Sequence, residues 1–192
     1  GACLLLAELA AQCKAEGSTV IDYLNNIYSE FGFTRNLLIS VGLAGAEGKD
    51  IMERMLNSYR EKTPTEIGRY NVKEMLDLQD PEVRFGPIKS ETDRAGRNVL
   101  VFHMQDGKKG VLRPSGTEPK TKIYFEATGQ SGEGESLDEL KASVDASLRE
   151  FAQVFAEEML RRGDITPDTP GVKVSGVEAL DKKLKFAKFM EG

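Results

Sequence analysis

The chain has 192 residues, of which 40% are apolar and 30% charged, so it can bury a core and stay soluble as one ordinary domain or two small ones. Its formal net charge of −5 argues against the broad phosphate-tracking surface of a nucleic-acid binder, and leaves room only for a local basic site. One histidine and two widely spaced cysteines make a Cys/His metal centre an unsuitable reading.

The opening ACLLLAELAAQC has the apolar density of a signal-peptide core. It lacks a basic leader, and Glu8 interrupts it. No stretch reaches the apolar length of a membrane span. Residues 2–16 instead predict a helix that is apolar on most sides and calls for burial on more than one face, with Gly17 ending it. Cys3 and Cys13 would then lie about 15 Å apart along the axis, too far for a disulfide. Two free thiols point to a reducing, cytoplasmic compartment.

Ser18 or Thr19 caps a second helix, with Ile21, Leu24, Ile27, Tyr28 and Phe31 at helical spacing and Gly32 as its stop. Asn36 to Leu43 predicts a strand, and Lys49 to Glu61 an amphipathic helix with Ile51, Met55 and Leu56 inward. Between them Gly42 to Gly48 has the glycine content of a nucleotide loop but neither of the phosphate-cradling patterns, so it reads as a strand-to-helix turn.

Thr63-Pro64-Thr65 reads as a linker. Tyr70 to Asp77 fits a strand or a short helix. Residues 98–104 predict a strand, Asp106-Gly107 a hairpin turn, and Lys109 to Leu112 the returning strand. Lys120 to Thr128 is a further strand, with Ile123, Phe125 and Ala127 on one face and Lys120, Lys122, Tyr124 and Glu126 on the other. After the flexible GQSGEGES, Leu137 to Arg162 reads as a long helix carrying Leu140, Val144, Leu148, Phe151, Phe155 and Leu160. The tail, 163–192, opens with the linker GDITPDTPG and ends in a short helical pattern from Val177 to Met190, whose lysines at 182–188 make a solvated face. Residues 65–162 thus predict a compact α+β unit of mostly antiparallel strands closed by a C-terminal helix.

The stretch RPSGTEPK, Arg113 to Lys120, concentrates anion-binding chemistry in one turn. Arg113 brings a planar, permanently charged fork able to hold two phosphate oxygens. Ser115 and Thr117 bring hydroxyls, Gly116 lets backbone N–H groups approach a ligand, and Lys122 adds a second cation from the polar strand face. Pro114 and Pro119 stiffen the ends. The plainer reading is a surface turn, since serine and threonine favour turns for local reasons. Glu118 could salt-bridge Arg113 or orient it. His103, alternating with Val99 and Val101, reads as structural.

RPSGTEPK followed by TKIY closely resembles the phosphate-binding loop of the α-D-phosphohexomutases, the phosphoglucomutase/phosphomannomutase family. LLLAELAAQCKAEGSTVIDYLNNIYSEFG resembles the end of that family's third domain. The resemblance covers roughly residues 2–162. It implies an α+β fold class: the end of an α/β domain (residues 1–62), then a small antiparallel sheet packed on helices, similar to the TATA-box-binding protein (65–162), then a linker and short helical tail (163–192). It further implies that Arg113, Ser115, Gly116, Thr117 and, less firmly matched, Lys122 hold the phosphate of a hexose phosphate that is not being transferred between the 1- and 6-positions. The family's serine nucleophile, Asp-rich Mg²⁺ loop and sugar-recognition loop have no counterpart in this sequence. The expectation is therefore a C-terminal fragment, inactive alone, that works with upstream domains. Its Mg²⁺ ligands would lie outside this chain, which itself would hold no cofactor and no metal, have no catalytic residue and bind neither nucleic acid nor membrane. The competing expectation is a stand-alone, non-catalytic sugar-phosphate-binding module.

Overall fold

We describe a computed structural model of the chain, covering residues 1–43, 48–82, 85–116, 118, 120–165 and 172–176. The expected helix from Val177 to Met190 lies outside the described residues. The elements run α1 (Ala2–Ala15), α2 (Val20–Phe31), β1 (Phe33–Leu43), α3 (Gly48–Glu61), β2 (Glu66–Ile67), β3 (Tyr70–Asp77), α4 (Glu91–Gly96), β4 (Leu100–Met104), β5 (Lys109–Pro114), β6 (Lys120–Gly129), α5 (Leu137–Arg162) and β7 (Val172–Gly176). They form two compact units.

The first unit holds residues 1–35 and 128–146. Thr19 accepts a hydrogen bond from the Asp22 N–H while the Asp22 carboxylate accepts one from the Thr19 N–H, a reciprocal capping box that starts α2. The Thr19 hydroxyl also donates to the Asp22 carboxylate, at 2.7 Å, and this bond together with the one from the Thr19 N–H favours the ionised acid and holds the Asp22 carboxyl below its ordinary value. Gly32 ends α2 at φ +93°. A Cβ there would stand 2.8 Å from the Gly129 carbonyl oxygen, so both its conformation and its neighbour demand glycine. Lys141 donates to Asn25 at 2.7 Å and Arg35 pairs with Asp145 at 2.7 Å, fastening the first part of α5 to α2 and β1. The sequence calls for burial of α1 on several faces, and here the structure differs. Cys13 is its only buried residue, while Leu4, Leu5 and Leu6 are 67%, 67% and 57% exposed. Leucine and alanine lie all round α1, and α2, which packs beside it, can cover only one side. Both cysteines are free thiols.

The second unit holds residues 36–127 and 147–192. Among the described residues seven strands form one sheet in the order β2-β3-β4-β5-β6-β1-β7. The run β2 to β6 is an antiparallel meander, in which short turns join β2 to β3, β4 to β5 and β5 to β6, and a longer connection that holds α4 joins β3 to β4. Gly107, at φ +87°, forms the β4–β5 hairpin turn. β7 pairs antiparallel with β1, from Ile39 opposite Gly176 to Leu43 opposite Val172. The architecture is the expected mixture of helices and antiparallel sheet. Tyr70 to Asp77 resolves as a strand, with a bulge between Val72 and Glu74.

One sheet face is buried under α3 and the later part of α5. Phe102 and Phe125 rise from the sheet and meet Tyr59, Phe151 and Phe155, none more than 1% exposed. Phe155 lies 5.1 Å from Phe102, 5.4 Å from Phe125 and 5.8 Å from Phe151, each edge-to-face, the favoured arrangement for aromatic rings. Arg162 fastens the two helices. Its guanidinium lies 4.3 Å from the Tyr59 ring centre and donates to the Ser58 and Lys62 carbonyls at 3.1 Å, satisfying C-terminal groups of α3. Arg60 joins α3 to β3 through Asp77 at 2.8 Å and also donates to Asn98.

Candidate anion-binding loop

The loop sits where β5 hands over to β6. Alternation along the strands decides which side chains can reach a ligand. Gly110 and Leu112 on β5, and Thr121, Ile123, Phe125 and Ala127 on β6, are buried against the helices. Their neighbours 109, 111 and 113, and 122, 124 and 126, therefore occupy the opposite, open face. The register sets Arg113 directly across from Lys122, and the next open-face pair is Val111 with Tyr124. Arg113 is exposed and Lys122 half-buried. Neither has an ion-pair partner among the described residues, so two cations stand side by side on one strand pair of a chain whose net charge is −5.

The turn itself is closed by backbone bonds. The Ser115 N–H donates to the Lys120 carbonyl at 2.8 Å and the Lys120 N–H to the Glu118 carbonyl at 2.7 Å. The Glu118 N–H donates to Ser115 Oγ at 3.3 Å, so the serine hydroxyl helps shape the turn and keeps its proton for another acceptor. Gly116 is exposed, and a Cβ there would meet nothing within 4 Å, so a ligand can come against the backbone. Thr117 and Pro119 lie outside the described residues.

Glu118 does not pair with Arg113. Its carboxylate takes the Lys120 ammonium. That hydrogen bond, the Lys120 charge and the Lys122 charge hold the Glu118 carboxyl below its ordinary value. The physical reason is reach: Lys120 lies on the same turn as Glu118, while Arg113 belongs to the strand entering it. The acid thus neutralises the lysine that closes the turn and leaves the Arg113–Lys122 pair positive.

Beneath the loop, sequence reasoning missed Thr121. It pairs with Pro114 across the ladder, is 0% exposed, and its hydroxyl finds no partner among the described residues. A buried orphan hydroxyl costs stability. Thr121→Val, which keeps the β-branched shape, is expected to stabilise the fold by about 1 kcal/mol, or about 2–4 °C in melting temperature. An unchanged or lower melting temperature would show that the hydroxyl is satisfied.

His103 is half-buried on β4, opposite Glu74 and Lys109. Among the described residues no three His, Cys, Asp or Glu side chains stand together to hold a metal ion. No helix of the described residues is long and apolar enough to cross a membrane.

The sequence pattern of the phosphoglucomutase/phosphomannomutase C-terminal domain matches residues 60–157, just over half the chain. The chain belongs to this family. The match includes the loop and the meander that carries it. A probable phosphomannomutase of Haemophilus influenzae is 29% identical over 150 residues, which cover 77% of this chain and 27% of that protein. A phosphoglucomutase of Staphylococcus aureus is 35% identical over 122 residues, covering 62% of this chain and 22% of its own length. The chain thus spans about a quarter of the curated relatives it matches. Among solved structures, the open form of parafusin, a phosphoglucomutase from Paramecium, superposes with a TM-score of 0.49 at 15% identity, over 82% of this chain and 25% of that one.

Proposed function

We propose that this chain is the phosphate-holding C-terminal part of a cytoplasmic phosphohexomutase. Arg113, Ser115, Gly116, Thr117 and Lys122 grip the phosphate of a hexose phosphate that is not transferred while the other moves between the 1- and 6-positions. The observation that carries this reading is the Arg113–Lys122 couple, without an ion-pair partner among the described residues, set on one open face at the mouth of a turn with an exposed glycine, in an acidic chain. In this reading residues 1–62 complete a preceding sugar-binding domain, 65–162 form the phosphate-holding domain and 163–192 are a tail. The transferring serine and Mg²⁺ come from upstream domains, and this chain alone does not turn over. Gripping the remote phosphate directs binding energy to positioning the reacting end.

The chemistry follows from the groups present. Arg113 offers two parallel N–H donors to a pair of phosphate oxygens, and Lys122 a third cationic contact. Ser115 Oγ–H and the backbone N–H groups around Gly116 complete the shell, as in other anion-binding nests. The test is an amide NMR titration of this chain with inorganic phosphate, glucose 6-phosphate and glucose. Phosphate and glucose 6-phosphate are expected to shift resonances confined to residues 113–122, and glucose to leave them in place. Arg113→Ala is expected to weaken both anions roughly tenfold to a hundredfold, the worth of a charge-assisted bond. Phosphate binding that is absent, or indifferent to Arg113→Ala, overturns the assignment.

A further inference from the structure

The open face of the sheet continues beyond the phosphate pair. Its next row holds Leu76, Val101, Val111 and Tyr124, placed side by side across four strands by the register. Leu76, Val101 and Val111 are half-buried, and Tyr124 is 38% exposed, one of few large apolar side chains of this unit left open. The row after that is polar. Glu74, His103, Lys109 and Glu126 stand in line, with Lys109 and Glu126 joined at 2.7 Å. A ring and a few aliphatic groups are therefore bounded by the cation pair on one side and by charged and polar groups on the other.

We propose that Tyr124, flanked by Val111, is a platform for the pyranose ring of the sugar whose phosphate sits at Arg113 and Lys122. This rests on the phosphate reading above and deepens it from anion to sugar phosphate. Lys122 and Tyr124 are two residues apart on one strand face, so their side chains rise about 6.5–7 Å apart. A sugar held at one end by its phosphate places its ring one C–O–P linkage away, which is over the Tyr124 row. The C–H face of a pyranose is apolar and packs on an aromatic face, while its hydroxyls point outward. Tyrosine suits this contact because its ring is apolar and its hydroxyl can bond a sugar oxygen. The polar row beyond stands where outlying hydroxyls of the ring would reach.

The test is the same amide titration on the full chain, with glucose 6-phosphate, glycerol 3-phosphate (a phosphate monoester without a ring) and inorganic phosphate. The unaltered chain is expected to bind glucose 6-phosphate roughly threefold to tenfold more tightly than glycerol 3-phosphate, the worth of one aromatic contact. Tyr124→Ala is expected to bring glucose 6-phosphate down to the glycerol 3-phosphate level and leave inorganic phosphate affinity unchanged. Tyr124→Phe is expected to keep most of the preference. Should Tyr124→Ala lose its dispersed spectrum, Tyr124→Thr keeps a strand-forming residue and removes the ring. Unchanged glucose 6-phosphate affinity in the ringless variant overturns the platform and leaves the phosphate assignment standing. A parallel loss of inorganic phosphate makes Tyr124 a support for the loop and also overturns it. No response of residues 113–122 to any phosphate overturns both readings.

Discussion

Phe155→Ala is expected to cost about 3–5 kcal/mol of stability, because the side chain it removes is the hub of the larger unit's core. Phe155 is 0% exposed and stands against Phe102 and Phe125 of the sheet, Phe151 of its own helix and Tyr59 of α3. Truncation leaves a cavity among rings whose positions are set by four elements, β4, β6, α3 and α5. None of them can move in alone to fill it, which places the substitution at the upper end for such changes. Gly110 on β5 sharpens the point: a Cβ there would lie 3.1 Å from the Phe155 ring, so the sheet is cut away to seat it. Phe155→Leu keeps much of the volume and is expected to cost about 1–2 kcal/mol. The chain has no tryptophan, so far-UV circular dichroism in urea is the suitable readout. The urea midpoint is expected to fall with the slope unchanged. A loss below about 1 kcal/mol for Phe155→Ala would mean that the cluster does not hold sheet and helices together.

Gly68→Ala is expected to cost about 2–4 kcal/mol, from two separable sources. Gly68 turns the chain between β2 and β3 at φ +57°, a conformation that costs an alanine roughly 1 kcal/mol more than glycine. Its added Cβ would also stand 2.2 Å from Val154 Cγ1 on α5. The far partner is a side chain, so the clash can be removed by a second change. Val154→Ala combined with Gly68→Ala is expected to recover the steric part and leave the conformational part. The coupling between the two substitutions, read as a double-mutant cycle by urea denaturation, should be at least about 1 kcal/mol. Strict additivity would show that α5 does not press on this turn.

The elements that speak most clearly in the sequence are those governed by one unbroken period. Leu140 to Leu160 recur at helical spacing, and the helix occupies Leu137–Arg162, as the pattern predicts. Strand β6 alternates without interruption, so its two faces were legible residue by residue, and with them the side of the sheet on which Lys122 and Tyr124 lie. β3 was ambiguous for a physical reason. Its bulge puts Val72 and Met75 both toward the helices, opposite Met104 and Phe102, and this breaks the two-residue alternation that marks a strand. Short elements carry too few residues to show a period, so the two-residue β2 and the six-residue α4 left no readable signal. The neighbour of β1 was illegible as well. Asn36 to Leu43 reads as a strand, but its place beside β6, far away along the chain, is set by tertiary pairing. At the loop the residue types were legible and their pairing was not. Composition could not choose among Arg113, Lys120 and Lys122 as the partner of Glu118, and the short reach within the turn decided for Lys120.

The bulge in β3 has a bearing on how copies of this protein behave towards one another in a crowded solution. Among the described residues β2 pairs with only the first two positions of β3, and no other strand lies along the rest of that rim of the sheet. A flat bare rim is a template on which another chain can add a strand. Here the register slips between Val72 and Glu74, just past the covered stretch, and the two residues at the slip, Lys73 and Glu74, are both charged and exposed. A straight incoming strand meets a twisted edge whose N–H and C=O groups fall out of step with its own, and would have to bring its backbone against two solvated charges. The irregularity that hides this strand in the sequence also guards the sheet against self-association.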